Sequence, residues 1–338
     1  MSDKSKIEWT DATWQPITGC TILTPGCTNC YAMKLAGGRL RNHPSRKGLT
    51  KPSKNGPVWT GEVRFNEQWL MQPLSWREPR RVFVCAHGDL FHEDAPDEWI
   101  DRVFAVMALC PQHTFQVLTK RAERMRDYLT NPPDAFSVRW HHVADEALMI
   151  DPSLPTGEGG WALQLEKRWP LPNVWLGVSC ERPEEDHRIS SLLCTPAAIH
   201  FVSLEPLLAE TWIHDYLPGG VENYPSYLDW VIVGGESGSN ARPMHPQWAR
   251  DIRDQCKAAG VAFFFTQWGE WEHWEETAPW NPDRGCAMTP DGRMYDDARI
   301  IRKAPVDRLF CLMQRVGKKA AGCKLDGIEH NEFPKVST

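Results

Sequence analysis

Six short runs of β-branched and aromatic residues recur along this chain and limit what it can fold into. They are RVFVCA (81–86), TFQVLT (114–119), NVWLGVS (173–179), IHFVSLE (199–205), LDWVIVGG (228–235) and VAFFFTQ (261–267). Each is apolar almost throughout, the pattern of a strand buried on both faces of a parallel sheet. Parallel neighbours need a long crossover between them, and helical patterns fill several of the gaps. PDEWIDRVFAVMALCP (96–111) opens on Pro96 and Asp97 and stops at Pro111. EEDHRISSLLCTP (184–196) is a second such pattern, and HPQWARDIRDQCKAAG (245–260) ends on a glycine suited to a helix C-terminus. With a further strand expected within 11–18, the alternation predicts an α/β fold. A full or partial (β/α) barrel is the first reading and a doubly wound open sheet the second. In both, chemistry belongs at the C-terminal ends of the strands.

The 338 residues are expected to form one catalytic domain over 1–325 with a tail at 326–338. An insertion at about 128–170, partly helical around HHVADEALMI, interrupts the pattern. A Trp-rich segment at about 268–303 reads as irregular, with TPDGRMY as a tight hairpin turn. Residues 304–325 read as helical. No apolar run reaches membrane-spanning length, and the start, MSDKSKIEWTD, lacks a signal segment. A cytoplasmic protein with no membrane partner is therefore expected. The net charge of −6 disfavours broad nucleic-acid binding. If nucleic acid binds, a restricted patch of Arg39, Arg41, Arg46 and Lys47 is the expected contact.

Eleven cysteines is an odd number, so they cannot all pair. Three lie together in GCTILTPGCTNCYA: Cys20, Cys27 and Cys30. In a reducing compartment, cysteines clustered this way read as metal or cluster ligands. A structural zinc wants four ligands, and His43 is the nearest histidine that could complete the set. A [4Fe-4S] cluster on three thiolates keeps one iron open to a ligand. Gly19, Pro25 and Gly26 let the backbone fold tightly around either.

IEWTDATWQPITGCTILTPGCTNCYA, LEPLL and VIVGGESGSNARPMHPQW together resemble the phage Gp37/Gp68 family, and the resemblance runs on to GKKAAGCKLDG. That family looks like a divergent branch of the radical S-adenosylmethionine superfamily, more distantly of the spore photoproduct lyase type. The resemblance implies a barrel with the three-cysteine loop after its first strand. It also implies a [4Fe-4S] cluster on Cys20, Cys27 and Cys30, whose open iron takes the amino and carboxylate groups of S-adenosyl-L-methionine. Reductive cleavage would then give a 5′-deoxyadenosyl radical acting on an unknown substrate, a nucleobase or nucleic acid being one class. An electron donor such as flavodoxin or ferredoxin is implied as partner. The Cys27–Cys30 spacing and the aromatic Tyr31 follow the superfamily. Six residues separate Cys20 from Cys27 where three are usual, and GGES follows a late strand instead of the second. The alternatives are a zinc-stabilised nucleic-acid-binding or nuclease-like phage-associated protein, and a noncatalytic partner protein.

The strand ends supply the other candidates. CAHGDLFHE offers His87 and Asp89 to bind a polar substrate or hold a proton. LTKR offers Lys120 or Arg121 to a carboxylate or phosphate. GVSCE places Cys180 where a thiol could donate a hydrogen atom, and SLEPLL places Glu205 for ribose hydroxyls or an amine. In VGGESGSNARPMHP, Gly234 and Gly235 allow close approach to the backbone. Glu236 suits an ammonium and Arg242 a carboxylate, the two groups at the methionine end of S-adenosylmethionine. Trp268, next to Gln267, could stack on adenine.

Overall fold

The computed structural model describes residues 5–130, 169–274, 280–295 and 310–335. The HHVADEALMI segment of the expected insertion lies outside them. All seven expected strands form: β1 (Ala12–Trp14), β2 (Arg81–Val84), β3 (Thr114–Thr119), β4 (Val174–Ser179), β5 (Ile199–Leu204), β6 (Trp230–Gly234) and β7 (Ala262–Gln267). They are hydrogen-bonded neighbours in chain order. A doubly wound sheet reverses its strand order at a switch point, and this order has no reversal. Among the described residues, helices between these strands include α1 (Tyr31–Gly37), α2 (Asp97–Leu109), α3 (Ala122–Thr130), α4 (His187–Leu193) and α5 (Pro246–Ala259), with the short helix Glu67–Leu70 besides. The class is α/β, with sequential parallel strands. No helix among the described residues is long and apolar enough to cross a membrane.

The chain divides into two compact units. The first is Met1–Leu23, Ala32–Val178 and Ser191–His200. Here β1 to β4 pair in parallel, with Trp14 beside Val84, Val84 beside Val117 and Val117 beside Leu176. All are buried, as the unbroken apolar runs require. Trp14 Nε1 donates to the Trp69 carbonyl at 2.7 Å, the partner a buried indole needs. Helix α2 opens on Asp97 and Glu98, whose charges suit a helix N-terminus, and buries Val103, Phe104, Val106 and Met107.

The second unit is Thr24–Tyr31, Ser179–Ser190 and Phe201–Thr338. Its core is built on Trp230, whose ring meets Phe201 at 5.6 Å, Phe264 at 6.0 Å and Phe333 at 5.0 Å. Trp230 Nε1 donates to the Glu332 carbonyl at 2.8 Å. The outer edge of β7 is paired by the C-terminal segment. Phe264 bridges Asn331 antiparallel, and Phe265 N donates to the His330 carbonyl at 2.8 Å. An exposed strand edge is thereby covered.

Two expectations are corrected in this unit. Within its described residues, the Trp-rich segment forms strands where the sequence predicts an irregular course. Strands β8 (Trp271–His273), β9 (Gly285–Met288), β10 (Met294–Tyr295) and β11 (Cys311–Arg315) form an antiparallel sheet in the order β8-β11-β9-β10. The TPDG turn joins β9 to β10, with Gly292 at φ +83. The helix expected over 304–325 is also replaced. Cys311–Arg315 is an interior strand, and within the described part of that range only Lys318–Ala321 is helical. Pairing on both edges, to Trp271–His273 and Gly285–Met288, overrides the local helical preference.

Replacing Trp230 with Ala should lower unfolding free energy by about 3–5 kcal/mol, the usual loss for a truncated core aromatic. Trp212, which is 63% exposed, should tolerate the same change within about 0.5 kcal/mol. Urea unfolding of the two variants checks the contrast.

Candidate functional site

In the first unit, β1 leads to Gly19, whose φ of +98 is open to glycine at little cost. Its N–H donates to the His87 carbonyl at 3.2 Å, and a Cβ there would strike the Glu62 carbonyl. Cys20 follows, with Arg121 Nη1 donating to its sulfur at 3.7 Å. Arg121 stands just beyond β3 and is nearly fully buried. It donates to Asp89 Oδ2 at 3.0 Å, to Glu93 Oε2 at 2.9 Å and to Thr21 Oγ1. Asp89, buried beyond β2, also accepts from Thr119 Oγ1 at 2.7 Å, Phe91 N at 3.0 Å and Lys120 N at 3.2 Å. Burial works against the Arg121 charge, but Asp89, Cys20 and Glu93 outweigh it and raise its pKa. A fixed cation therefore stands beside the Cys20 sulfur. Sequence reasoning named Arg121 only as a ligand-binding alternative to Lys120. Its neighbours Thr21 and Thr119 carried no signal beyond their place at a strand end.

His87 meets Arg46 Nη2 through Nδ1 at 2.6 Å. Burial, then the Arg46 charge, pulls its pKa down to about 3, so near pH 7 it accepts a hydrogen bond and stores no proton. Arg46 is a correction to the expected basic patch. It is buried, donating to Ser45 Oγ at 2.6 Å and lying 6.0 Å above the Trp69 ring. The guanidinium braces this loop from within. His43 Nδ1 lies 2.7 Å from Ser45 Oγ, with its ring stacked 5.9 Å from Trp69.

In the second unit, Pro25–Cys27 form one tight turn, Cys30 N donates to the Cys27 carbonyl at 3.2 Å, and Cys27 is buried. Thr24 Oγ1 lies 3.8 Å from Cys27 Sγ. Arg242 and Glu236, expected to hold opposite ends of one ligand, hold each other. Arg242 Nη2 reaches Glu236 Oε1 at 2.6 Å, and Nε reaches Oε2 at 2.8 Å. The same Nη2 donates to the Pro25 carbonyl at 3.0 Å. Asn29 Nδ2 adds a bond to the Asn240 carbonyl at 2.9 Å. Glu181, fully buried beyond β4, accepts from Thr24 Oγ1 at 3.3 Å and pairs with Arg188 at 3.5 Å. Gly26 lies so close to the Glu181 carboxylate that a Cβ would collide with it. The turn bearing Cys27 is thus seated on the ends of β4 and β6.

The other candidates are placed as follows. A Cβ on Gly234 would meet Thr266 Oγ1 and Glu205, and one on Gly235 the Trp268 carbonyl, so these glycines admit the chain's own groups. Glu205 Oε1 accepts from Thr266 Oγ1. Trp268 is buried against Phe265 and donates to the Lys324 carbonyl at 2.8 Å. Cys180 is buried with its thiol on the Arg182 carbonyl at 3.3 Å, and burial pushes its pKa up to about 12. Lys120 is half-buried and Tyr31 is 52% exposed.

Among the described residues, no group of three or more His, Cys, Asp or Glu side chains is arranged to hold a metal ion. Cysteine thiolates are the donor type that iron–sulfur clusters use. An N–H faces the Cys20 sulfur and a hydroxyl faces that of Cys27, and contacts of this kind tune iron–sulfur sites. Fold and site together define an α/β protein whose strand-end charges fix a cysteine-bearing loop. The chain belongs to the family described as "Protein of unknown function (DUF5131)", which matches residues 4–334. No curated protein and no solved structure matches it.

The low pKa of His87 makes stability depend on pH. The unfolded chain protonates this histidine below about pH 6.5, the folded chain only below about 3. Between those values the unfolded state binds more protons, so stability is full above pH 6.5 and falls as pH drops. His87→Asn keeps an acceptor for Arg46 and removes the titration. Its unfolding free energy should fall less steeply across this range than that of the parent, and equal slopes would exclude His87 as the source.

Proposed function

We propose that this protein is a radical S-adenosylmethionine enzyme in which Cys20, Cys27 and Cys30 hold a [4Fe-4S] cluster. The supporting observation is how the cysteine-bearing segments are anchored. Arg121 donates to the Cys20 sulfur, and Arg242 with Glu181 seats the turn that carries Cys27. Sequential parallel strands with polar groups at their C-terminal ends suit the partial-barrel scaffold of that superfamily. When bound, the cluster would pass one electron to the sulfonium of S-adenosylmethionine, releasing methionine and a 5′-deoxyadenosyl radical. That electron would come from a one-electron carrier of the flavodoxin or ferredoxin class.

The chain's own residues have separable tasks in this reading. Arg121 places a positive charge beside the Cys20 sulfur, where a thiolate ligand needs one. The Glu236–Arg242 pair holds the loop still. Lys120, at the end of β3, offers a positive charge that suits a carboxylate, and Glu205, at the end of β5, a negative charge that suits an amine. Tyr31 offers a ring beside Cys30 for adenine. Cys180 stays a neutral thiol, the form that carries a transferable hydrogen atom.

Anaerobic purification and reconstitution test the proposal. The protein should hold about four irons per chain, as a cubane cluster requires. With reductant it should release 5′-deoxyadenosine from S-adenosylmethionine. Cys27→Ala should lose the iron and keep its circular dichroism spectrum. A colourless protein with one zinc per chain would overturn the proposal.

A further inference from the structure

Charge is unevenly distributed along the chain. Between Asp11 and Glu62 lie seven of the 38 Lys and Arg and none of the 44 Asp and Glu. In a protein of net charge −6, this acid-free stretch is the local exception. Within the first unit, Arg39, Arg41, Lys47, Lys51 and Lys54 are exposed. Arg39 and Arg41 follow helix α1. Lys47 ends a turn. Lys51 and Lys54 lie on a hairpin in which Thr50–Ser53 pairs antiparallel with Gly56–Trp59.

The frame beneath these cations is fixed. His43 N donates to the Leu40 carbonyl and Lys47 N to the His43 carbonyl, both at 2.9 Å. Arg64 donates to the Pro44 carbonyl at 2.5 Å and to the Lys47 carbonyl at 2.9 Å. Leu49 and Trp59 are buried and root the hairpin, and a Cβ on Gly37 at the end of α1 would strike Pro57. Exposed neighbours of the cations include Asn42, Ser53, Asn55 and Thr60, all able to donate hydrogen bonds. The exposed large apolar side chains among the described residues all lie outside 38–61. A protein partner would want an aromatic or aliphatic anchor there, and a membrane surface an apolar one to insert. Cations mixed with small polar donors on a pre-set frame match phosphate-backbone recognition.

We propose that Arg39, Arg41, Lys47, Lys51 and Lys54 form a nucleic-acid-binding surface that grips the phosphodiester backbone. The surface does not depend on the cluster reading. Past the return strand, which ends at Trp59, a Cβ on Gly61 would lie 3.5 Å from Thr21 Cγ2, so the hairpin is rooted in the same unit as Cys20.

The test is fluorescence anisotropy of the full chain as purified, with labelled 20-nucleotide single-stranded DNA, the same RNA and the DNA duplex, at several salt concentrations. The parent should bind at least one of them, more weakly as salt rises. The combined variant Lys47→Ala, Lys51→Ala, Lys54→Ala should bind at least tenfold more weakly, with its salt slope smaller by about 2 on a single strand. Lys→Arg at the same positions should restore binding. Removing the exposed Lys257, Lys319 and Lys335 should change affinity less than twofold. Circular dichroism melts confirm that each variant folds. Absence of binding to all three probes, an equal loss in the control variant, or failure of the Lys→Arg set to rescue would overturn the proposal. So would full displacement by polyglutamate or preference for phosphatidylserine vesicles.

Discussion

Arg242 joins residues that lie 217 positions apart in the chain. A guanidinium presents donors in a rigid planar fork. Nε and Nη2 of that fork take the two oxygens of Glu236, and Nη2 also donates to the Pro25 carbonyl. A lysine would supply the charge without the planar two-donor edge that matches a carboxylate. The conformation of the turn before Cys27 thus rests on one planar group held at the end of β6. Glu181 supports the same turn from the end of β4, and the lack of a side chain at Gly26 lets the carboxylate in.

Arg121 plays the corresponding part for Cys20. It is buried with Asp89 and also pairs with the exposed Glu93, and burying charge is expensive unless every donor finds an acceptor. Asp89 spreads its acceptance over Thr119, Phe91, Lys120 and Arg121, so neither ion is left without compensation. Networks of this kind add little net stability compared with an apolar core, but they fix geometry. In both units the rigid strands supply positions and the charged groups at their ends supply directions.

The strands were legible because a strand buried on both faces needs an unbroken apolar run, and Val231 to Val233 or Phe263 to Phe265 can be little else. Helix α5 was legible from Pro246 at its start and Gly260, at φ +71, after its end. Cys311–Arg315 was not, because its state is set by strands some 25 to 40 residues away. Among site residues, the three cysteines announced themselves by spacing, and Asp89, Glu236 and Arg242 by their places at strand ends. Their partners did not. Whether Glu236 meets a ligand or Arg242, and whether Arg46 faces water or His87, depends on side-chain directions that a local pattern does not encode.

The seating of the cysteine turn by Arg242 is best tested by hydrogen–deuterium exchange of Arg242→Met against the parent protein. Amides of Thr24–Tyr31 should lose protection in the variant, while those of Trp230–Gly234 keep theirs. Unchanged exchange across Thr24–Tyr31 would contradict the account, because the turn would then hold its shape without the fork.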